Sequence, residues 1–183
     1  MDIGEIKFHA ANSAAVMQLK DAHLDIVRPG IMLYGLYPSD YLKKSSSIKL
    51  MPAMTLKARI TQIKEVSEGF RVSYGSTHVT KGKSRLATIP VGYADGYPRI
   101  LSNKGSVLIS GKLAKIVGRV CMDQFVVDVT HINVSRGDDV IIFGREGSYE
   151  LSADKVARWA NTINYEIVSQ ITSRVKRVYV KER

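Results

Sequence analysis

The stretch that decides the fold is LATIPVGYADGYPRILSNKGSVLISGKLAKIVGRVCMDQFVVDV, residues 86–129. It contains four short apolar runs, at residues 86–89, 107–109, 116–117 and 125–129, with glycine-containing turns between them. Short apolar runs that alternate with such turns are typical of strands in an antiparallel barrel or sandwich. This stretch therefore predicts a mainly β domain.

The same pattern continues on both sides of this stretch. Residues 56–60 alternate between apolar and polar, residues 71–74 end before a glycine, and residues 140–143 form another apolar run, so three further strands are expected. One helix is expected among the strands, because Ser152 is a good N-cap for residues 153–161, whose apolar positions follow helical spacing. The domain is thus predicted to be an antiparallel barrel or sandwich with one helix.

The beginning of the chain has a different organisation. Residues 5–9 and 24–28 are strand candidates. Residues 10–20 between them are rich in helix formers and offer Asn12 or Ser13 as N-cap. A strand, a helix and a second strand in such a short segment are typical of a parallel sheet. We therefore expect the last βα elements of an α/β barrel of the TIM type.

Two further segments complete the expected organisation. Residues 38–51 are polar and rich in serine, which predicts a linker. Residues 172–180 return to alternation and predict a last strand. The expected domains are a barrel remnant at 1–37, a linker at 38–51 and the β domain at 52–183.

The composition is that of a soluble globular protein. Hydrophobic residues make up 45% of the chain and charged residues 24%, and no apolar run reaches the ~18 residues of a membrane span. The single cysteine, Cys121, excludes an intramolecular disulfide and a cysteine-based metal cluster, and we expect it to be a small buried residue. The N-terminus lacks the pattern of a signal peptide, so a cytoplasmic location is expected.

The net charge of +10 favours acidic partners, which include phosphate, small carboxylates and nucleic acid. The lysines and arginines are spread along the chain, and they are not interleaved with aromatic residues as in nucleic-acid-binding surfaces. Nucleic acid is therefore the weaker hypothesis. A non-catalytic basic β module stays open as an alternative.

A few residues could bind or transform a small molecule. Ser13, Gly30 and Ile31 follow the two barrel strands, where barrels of this type often hold a phosphate, although an N-cap serine and a turn glycine explain them more simply. Tyr74 and Tyr93 lie beside glycines at the ends of strands and could project into a cleft. A tyrosine acts as a base only where neighbouring cations favour its phenolate. From local sequence alone, structural tyrosines are the better explanation.

Six motifs occur in a fixed order along the chain and are more specific together than any one alone. They are HAANSA (9–14), VRPGI (27–31), VSYG (72–75), VGYADG (91–96), VGRVCMDQ (117–124) and TINYE (162–166). This set is similar to the second half of bacterial alanine racemases and covers essentially the whole chain. The resemblance implies an N-terminal α/β barrel that binds pyridoxal phosphate and a C-terminal β domain. It also implies a head-to-tail homodimer with active sites shared between subunits.

The resemblance assigns a group of residues to the cofactor. Ser13, the amides of Gly30 and Ile31, and Tyr165 would hold its phosphate. Arg28 would face the pyridine nitrogen, with His9 hydrogen-bonded behind it. A guanidinium stays protonated and only donates, so the ring nitrogen would stay an unprotonated acceptor and the ring a weaker electron sink. This favours racemisation over transamination.

The resemblance also assigns residues to the substrate. Tyr74 would be the base that takes the α-proton of L-alanine, while a lysine on the opposite face would serve D-alanine. Met122 would meet the substrate carboxylate through its backbone amide. The walls of the narrow corridor to the site would be Tyr93, Arg99, Arg119 and Asp123. No metal is implied.

The implied activity is the interconversion of L-alanine and D-alanine, which supplies D-alanine for cell-wall peptidoglycan. The lysine that binds the cofactor is expected upstream of Met1, because no lysine here lies in the sequence context that the family uses. The chain alone is therefore expected to be an inactive fragment. A racemase of another small amino acid, such as serine, stays open as an alternative.

Overall fold

The computed structural model describes residues 6–180. The chain divides into two compact units, Met1–Met54 and Thr55–Arg183. Among the described residues, no helix combines the length and the apolar character that crossing a membrane requires.

The first unit begins with helix α1, Ser13–Gln18, whose N-cap is Asn12: its side chain accepts the backbone N–H of Ala15. The prediction of regular strands on either side of this helix, at residues 5–9 and 24–28, is wrong. They are reduced to a single parallel bridge between His9 and Ile26, and Glu5 lies outside the described residues. A parallel pair of strands is stable only within a larger sheet that is covered on both faces.

The segment predicted as a plain linker contains a helix, α2, which spans Asp40–Ser45. Serines are common in loops, but Ser39 is the N-cap of this helix and its hydroxyl accepts the N–H of Leu42 at 3.2 Å. An acidic residue in the first turn and two lysines in the last also complement the helix dipole. Leu42 of this helix is buried.

The second unit consists of antiparallel sheets, which confirms the predicted mainly β fold. Its strands are β1 Leu56–Arg59, β2 Gln62–Val66, β3 Arg71–Val72, β4 His78–Val79, β5 Ser84–Ile89, β6 Ser106–Ile109, β7 Lys112–Lys115, β8 Phe125–Asp128, β9 Asp139–Glu146 and β10 Tyr149–Leu151. One sheet has the order β1-β9-β6-β7, with β10 also paired to β9, and a second has the order β2-β5-β8. Strands β3 and β4 form a separate hairpin.

The apolar runs predicted the central strands and missed others. Strands β2, β4, β7 and β10 were not expected, because each exposes much of its length and carries several polar residues. The run at 116–117 contributes only a bridge between Ile116 and Val127. Pairing with a neighbour, rather than an apolar pattern, makes these segments strands.

Two α-helices, not one, lie in the described part of the second unit. Helix α3, Ala153–Ala160, begins at the predicted cap Ser152 and ends at Asn161 in a left-handed conformation. Helix α4, Asn164–Ser169, follows directly, and the Asn164 side chain donates to Asp154 at 2.7 Å, which ties the two helices together. The prediction of a single helix is wrong, because α4 is one short segment whose helical form depends on this packing.

The last strand predicted, at residues 172–180, does not form. The backbone N–H of Thr172 instead donates to the carbonyl of Asp95, and the Arg174 guanidinium lies 2.9 Å from the Asp95 carboxylate. Thr172 and Arg174 therefore bind the loop that contains Asp95 rather than the edge of a strand. The apolar alternation of the tail therefore does not enter a sheet.

Among the described residues, the core of the second unit contains one buried side-chain nitrogen or oxygen without a hydrogen-bond partner, the hydroxyl of Tyr97. Its ring stacks on Phe125, with 5.1 Å between the ring centroids. Burial raises the pKa of the Tyr97 hydroxyl well above its usual range.

We expect Tyr97→Phe to raise the free energy of unfolding of this chain at neutral pH by about 1 kcal/mol, because it removes an unpaired buried hydroxyl. The native chain should also lose stability as the pH rises above ~10, where the unfolded tyrosine ionises and the folded one does not. The variant should lose less. Urea unfolding at pH 7 and pH 10.5 measures both effects, with the exposed Tyr149→Phe as control. A Tyr97→Phe variant that is less stable than the native chain at pH 7 would contradict the expected gain in the free energy of unfolding.

Candidate functional site

The second unit contains a cavity of about 510 Å³. Four separate segments of the chain line it, and all are loops between strands. The lining residues are Tyr74, Tyr93, Arg99, Arg119, Val120, Cys121, Met122, Asp123 and Gln124. The structure thus brings together all six residues that the sequence analysis assigned to the substrate.

Tyr74 lies in the loop between β3 and β4. Its side chain is 74% exposed, so its ring is not held by packing within the unit. The backbone on both sides is unusual, since Ser73 has φ +62° and Gly75 has φ +69°. A Cβ built on Gly75 would lie 3.3 Å from Cζ of Arg119, so this guanidinium lies against the loop beside Tyr74.

Tyr93 is held by a tight loop that follows β5. The carboxylate of Asp95, only 8% exposed, accepts the N–H of Gly92 at 2.9 Å and thereby closes the loop. The N–H of Tyr93 donates to the carbonyl of Cys121 at 3.1 Å, and the N–H of Ala94 donates to that of Met122 at 2.8 Å. The two segments that carry Tyr93 and Met122 are therefore joined through their backbones.

The charged residues give the cavity a positive balance. Arg99 begins a short 3-10 helix that is anchored by the buried Leu101, and Arg119 comes from the loop before β8. Asp123 is the acidic residue of the lining. Two guanidiniums and one carboxylate suit a small anion such as an amino-acid carboxylate.

Cys121 was expected to be a small buried residue, but it is half-buried and lines the cavity. Its sulfur lies 3.5 Å from the hydroxyl of Ser73. The expectation came from its apolar neighbours in sequence, whereas the sharp turn at residues 121–124 brings it to the surface of the cavity. In the described part of the chain, no group of His, Cys, Asp and Glu side chains could hold a metal ion.

The first unit brings Ser13 together with the turn that follows the second predicted strand. The Ser13 hydroxyl is buried and accepts the N–H of Gly30 at 2.8 Å and that of Met32 at 3.2 Å. Ile31 begins a 3-10 helix, Ile31–Tyr34. The amide of Gly30 is thus bound to Ser13.

The expected hydrogen bond between Arg28 and His9 does not form. Nε of Arg28 donates to the carbonyl of Ala10 at 2.8 Å, and among the described residues no hydrogen bond joins Arg28 to His9. His9 instead pairs through its backbone with Ile26. Tyr165 belongs to the other unit, where it lies half-exposed in α4.

Sequence analysis missed the residues that hold these loops. Asp95, Arg174 and Asn103 bear no local signal, because their partners are distant in sequence. Glycine positions could have indicated the close approach: a Cβ on Gly92 would lie 2.3 Å from the carbonyl oxygen of Met122.

Comparison with known proteins identifies the class of this two-part chain. The model of the alanine racemase C-terminal domain matches residues 53–179, and that of the alanine racemase N-terminal domain matches residues 3–38. The chain belongs to the alanine racemase family, which confirms the resemblance seen in the six motifs.

Individual relatives agree with this assignment. Alanine racemase from Desulforamulus reducens is 56% identical over 94% of this chain and 46% of its own length. The crystal structure of alanine racemase from Bacillus anthracis with bound L-Ala-P has a TM-score of 0.91 at 40% identity, over 96% of this chain and 45% of that one. Alanine racemase from Bartonella henselae with covalently bound pyridoxal phosphate has a TM-score of 0.83 at 38% identity, over 96% and 47%. The chain spans about half the length of the curated relatives it matches.

Proposed function

We propose that this chain is the C-terminal portion of a pyridoxal-phosphate-dependent alanine racemase, in which Tyr74 is the base for L-alanine. The observation that carries the proposal is the single cavity that gathers Tyr74, Tyr93, Arg119 and Met122 in a member of this family. Below, "full-length racemase" means this chain together with an N-terminal half like that of its relatives.

The residues of the first unit fit the phosphate of the cofactor. A hydroxyl has one proton to donate and two lone pairs that accept. Both lone pairs of Ser13 are used by the backbone N–H groups of Gly30 and Met32, so its proton is left to donate. A phosphate oxygen is a strong acceptor for such a buried proton. We propose that Ser13 and the amides of Gly30 and Ile31 hold the phosphate, with the Gly30 amide shared between the Ser13 hydroxyl and a phosphate oxygen, and that Tyr165 is a further phosphate ligand.

Arg28 is proposed to face the pyridine nitrogen. Its Nε is bound to the carbonyl of Ala10, which fixes the direction of the guanidinium and leaves the terminal nitrogens as donors. When bound, pyridoxal phosphate supplies the electron-withdrawing group that makes the α-proton of alanine acidic.

Tyr74 is proposed to move this proton on one face of the substrate. Inversion at a carbon needs a proton removed on one face and another delivered on the opposite face, so one base cannot suffice. The guanidinium of Arg119 lies against the loop beside Tyr74, so a cation stands next to the proposed base. The second base, a lysine, would come from the N-terminal half of the full-length racemase.

The same cavity supports recognition of a small amino acid. Met122 would offer its backbone N–H to the carboxylate, and its carbonyl is already fixed by Ala94. Tyr93, Arg99, Arg119 and Asp123 would line the corridor that leads there. We propose alanine rather than serine as the substrate. We also propose a head-to-tail homodimer in which the second subunit completes each site. The enzyme would supply D-alanine for peptidoglycan and would act in the cytoplasm. The proposed domains remain 1–37, 38–51 and 52–183.

The test compares this chain with the full-length racemase. With pyridoxal phosphate and L-alanine, we expect the full-length racemase to form D-alanine and this chain alone to form none, because only one of the two bases lies within it. Chiral chromatography of the product measures both, with L-serine as the competing substrate. Turnover by the chain alone would contradict the two-base assignment, and faster turnover of serine would contradict the proposed substrate.

A further inference from the structure

Ser73, the residue before Tyr74, has a backbone conformation that only glycine normally adopts. Its φ is +62° and its ψ is −178°. A residue with a Cβ is strained in this region, and such strain persists only where the surrounding structure imposes it. Strained residues of this kind are concentrated at functional sites. A serine in this place therefore needs an explanation that a glycine would not.

The surroundings hold the start of the loop against the segment before β8. The Ser73 hydroxyl donates to the carbonyl of Arg119 at 2.8 Å. A Cβ built on Gly118 would lie 2.8 Å from the Cβ of Ser73, so the two backbones approach as closely as a glycine allows. Glycine at position 73 would keep the backbone conformation and lose this hydrogen bond.

The end of the loop is held by the same segment. The side chain of Asn103 accepts the N–H of Gly118 at 2.6 Å and donates to the hydroxyl of Thr77 at 3.1 Å. Residues 73 and 77 are thus both fixed to the backbone around Gly118 and Arg119. Tyr74 lies between them with an exposed ring, so the backbone of this loop sets the direction in which its Cα–Cβ bond leaves the chain.

We propose that Ser73 is a positioning residue for Tyr74. Its hydroxyl holds the loop in a strained conformation, and that conformation aims the phenol at the cavity. The inference rests on the proposed role of Tyr74 as the base for L-alanine. Without the hydroxyl, the loop would be free to turn the phenol away from the α-carbon.

The test uses two variants of the full-length racemase, loaded with cofactor. Ser73→Gly removes the hydroxyl and the strain, whereas Ser73→Ala removes the hydroxyl and keeps the strain. We expect the Gly variant to melt at a higher temperature than the Ala variant, because glycine tolerates this conformation. A serine in an ordinary backbone conformation predicts the reverse order, since glycine is then the more flexible replacement, so the melting temperatures test the strain and the kinetics below test the positioning role.

The kinetic readout is the exchange of the α-proton with solvent deuterium. In both variants, the exchange of L-alanine should fall about tenfold to a hundredfold, as expected when a base is misplaced by about 1 Å. The exchange of D-alanine should fall much less, and KM should stay within about twofold. Ser76→Gly is the matched control: Ser76 has φ +50° in the same loop, and its replacement should leave both exchanges unchanged.

Tyr74→Phe measured beside these variants separates the two proposals. If Tyr74→Phe loses L-alanine exchange but Ser73→Gly and Ser73→Ala keep it, Tyr74 is the base and the inference about Ser73 is wrong. If Tyr74→Phe keeps L-alanine exchange, the proposed function fails and the inference fails with it. A Gly variant that melts below the Ala variant also overturns the inference.

Discussion

Tyr74→Phe in the full-length racemase is expected to lower the rate of racemisation by about 10²–10⁴-fold, which is the usual cost of losing a positioned general base. The variant should still bind pyridoxal phosphate, because the Tyr74 hydroxyl does not hold the cofactor in the proposed site. Its stability should hardly change, since the side chain is exposed and the ring is retained. Rate, cofactor absorbance and melting temperature are the three measurements.

The two faces of the substrate should respond differently to this change. Exchange of the α-proton of D-alanine with solvent deuterium should survive better than that of L-alanine, because the proposed lysine would still serve D-alanine. Tyr149→Phe, an exposed tyrosine of β10 outside the cavity, is the matched control and should leave both exchanges intact. Equal loss of both exchanges in a folded, cofactor-loaded Tyr74→Phe would sink the assignment.

Gly92→Ala is expected to damage the backbone contact that joins two of the segments lining the cavity. Its Cβ would lie 2.3 Å from the carbonyl oxygen of Met122 and 2.4 Å from that of Cys121, and both are backbone atoms that cannot turn aside. The two segments would have to separate and give up the hydrogen bonds that join them. We expect the free energy of unfolding to fall by about 1–3 kcal/mol, as in other overpacked sites.

The same change should reach the proposed substrate site, since it would displace the segment that contains Met122. The KM for alanine should rise in the Gly92→Ala full-length racemase even where the protein is fully folded. Gly82→Ala is the control, because a Cβ there meets nothing within 4 Å and its φ is not positive. If Gly92→Ala matched this control in melting temperature and in KM, the close backbone approach would have no role.

Much of the second unit could be predicted from its apolar pattern. The run around Val107 is buried on both faces of the strand, and the run around Phe125 alternates regularly between buried and half-buried residues. Both patterns predict a strand without knowledge of the neighbouring strands. The cap at Ser152 predicted the start of α3 correctly for the same reason, because a helix cap is made by residues close in sequence. Strand β7, Lys112–Lys115, has no such pattern and is a strand because it pairs with β6.

The tail shows where pattern reasoning fails. Residues 172–180 alternate like a strand, yet Thr172 and Arg174 bind the loop that contains Asp95, 79 residues away from Arg174. Alternation describes which residues could share a face of a sheet, but a strand also needs a free edge to pair with. In the described residues, the tail binds a loop instead.

The sequence by itself determined the family, the mainly β character of residues 55–180 and the identity of the six assigned residues around the cavity. Each of these depends on residue types and spacings that stand in the chain. Only the tertiary structure decided the conformation of Ser73, the closure of the Tyr93 loop by Asp95 and the exposure of Cys121 to the cavity. These depend on hydrogen bonds and close contacts between residues distant in the chain, such as the 46 positions that separate Ser73 from Arg119, and no local pattern encodes such partners.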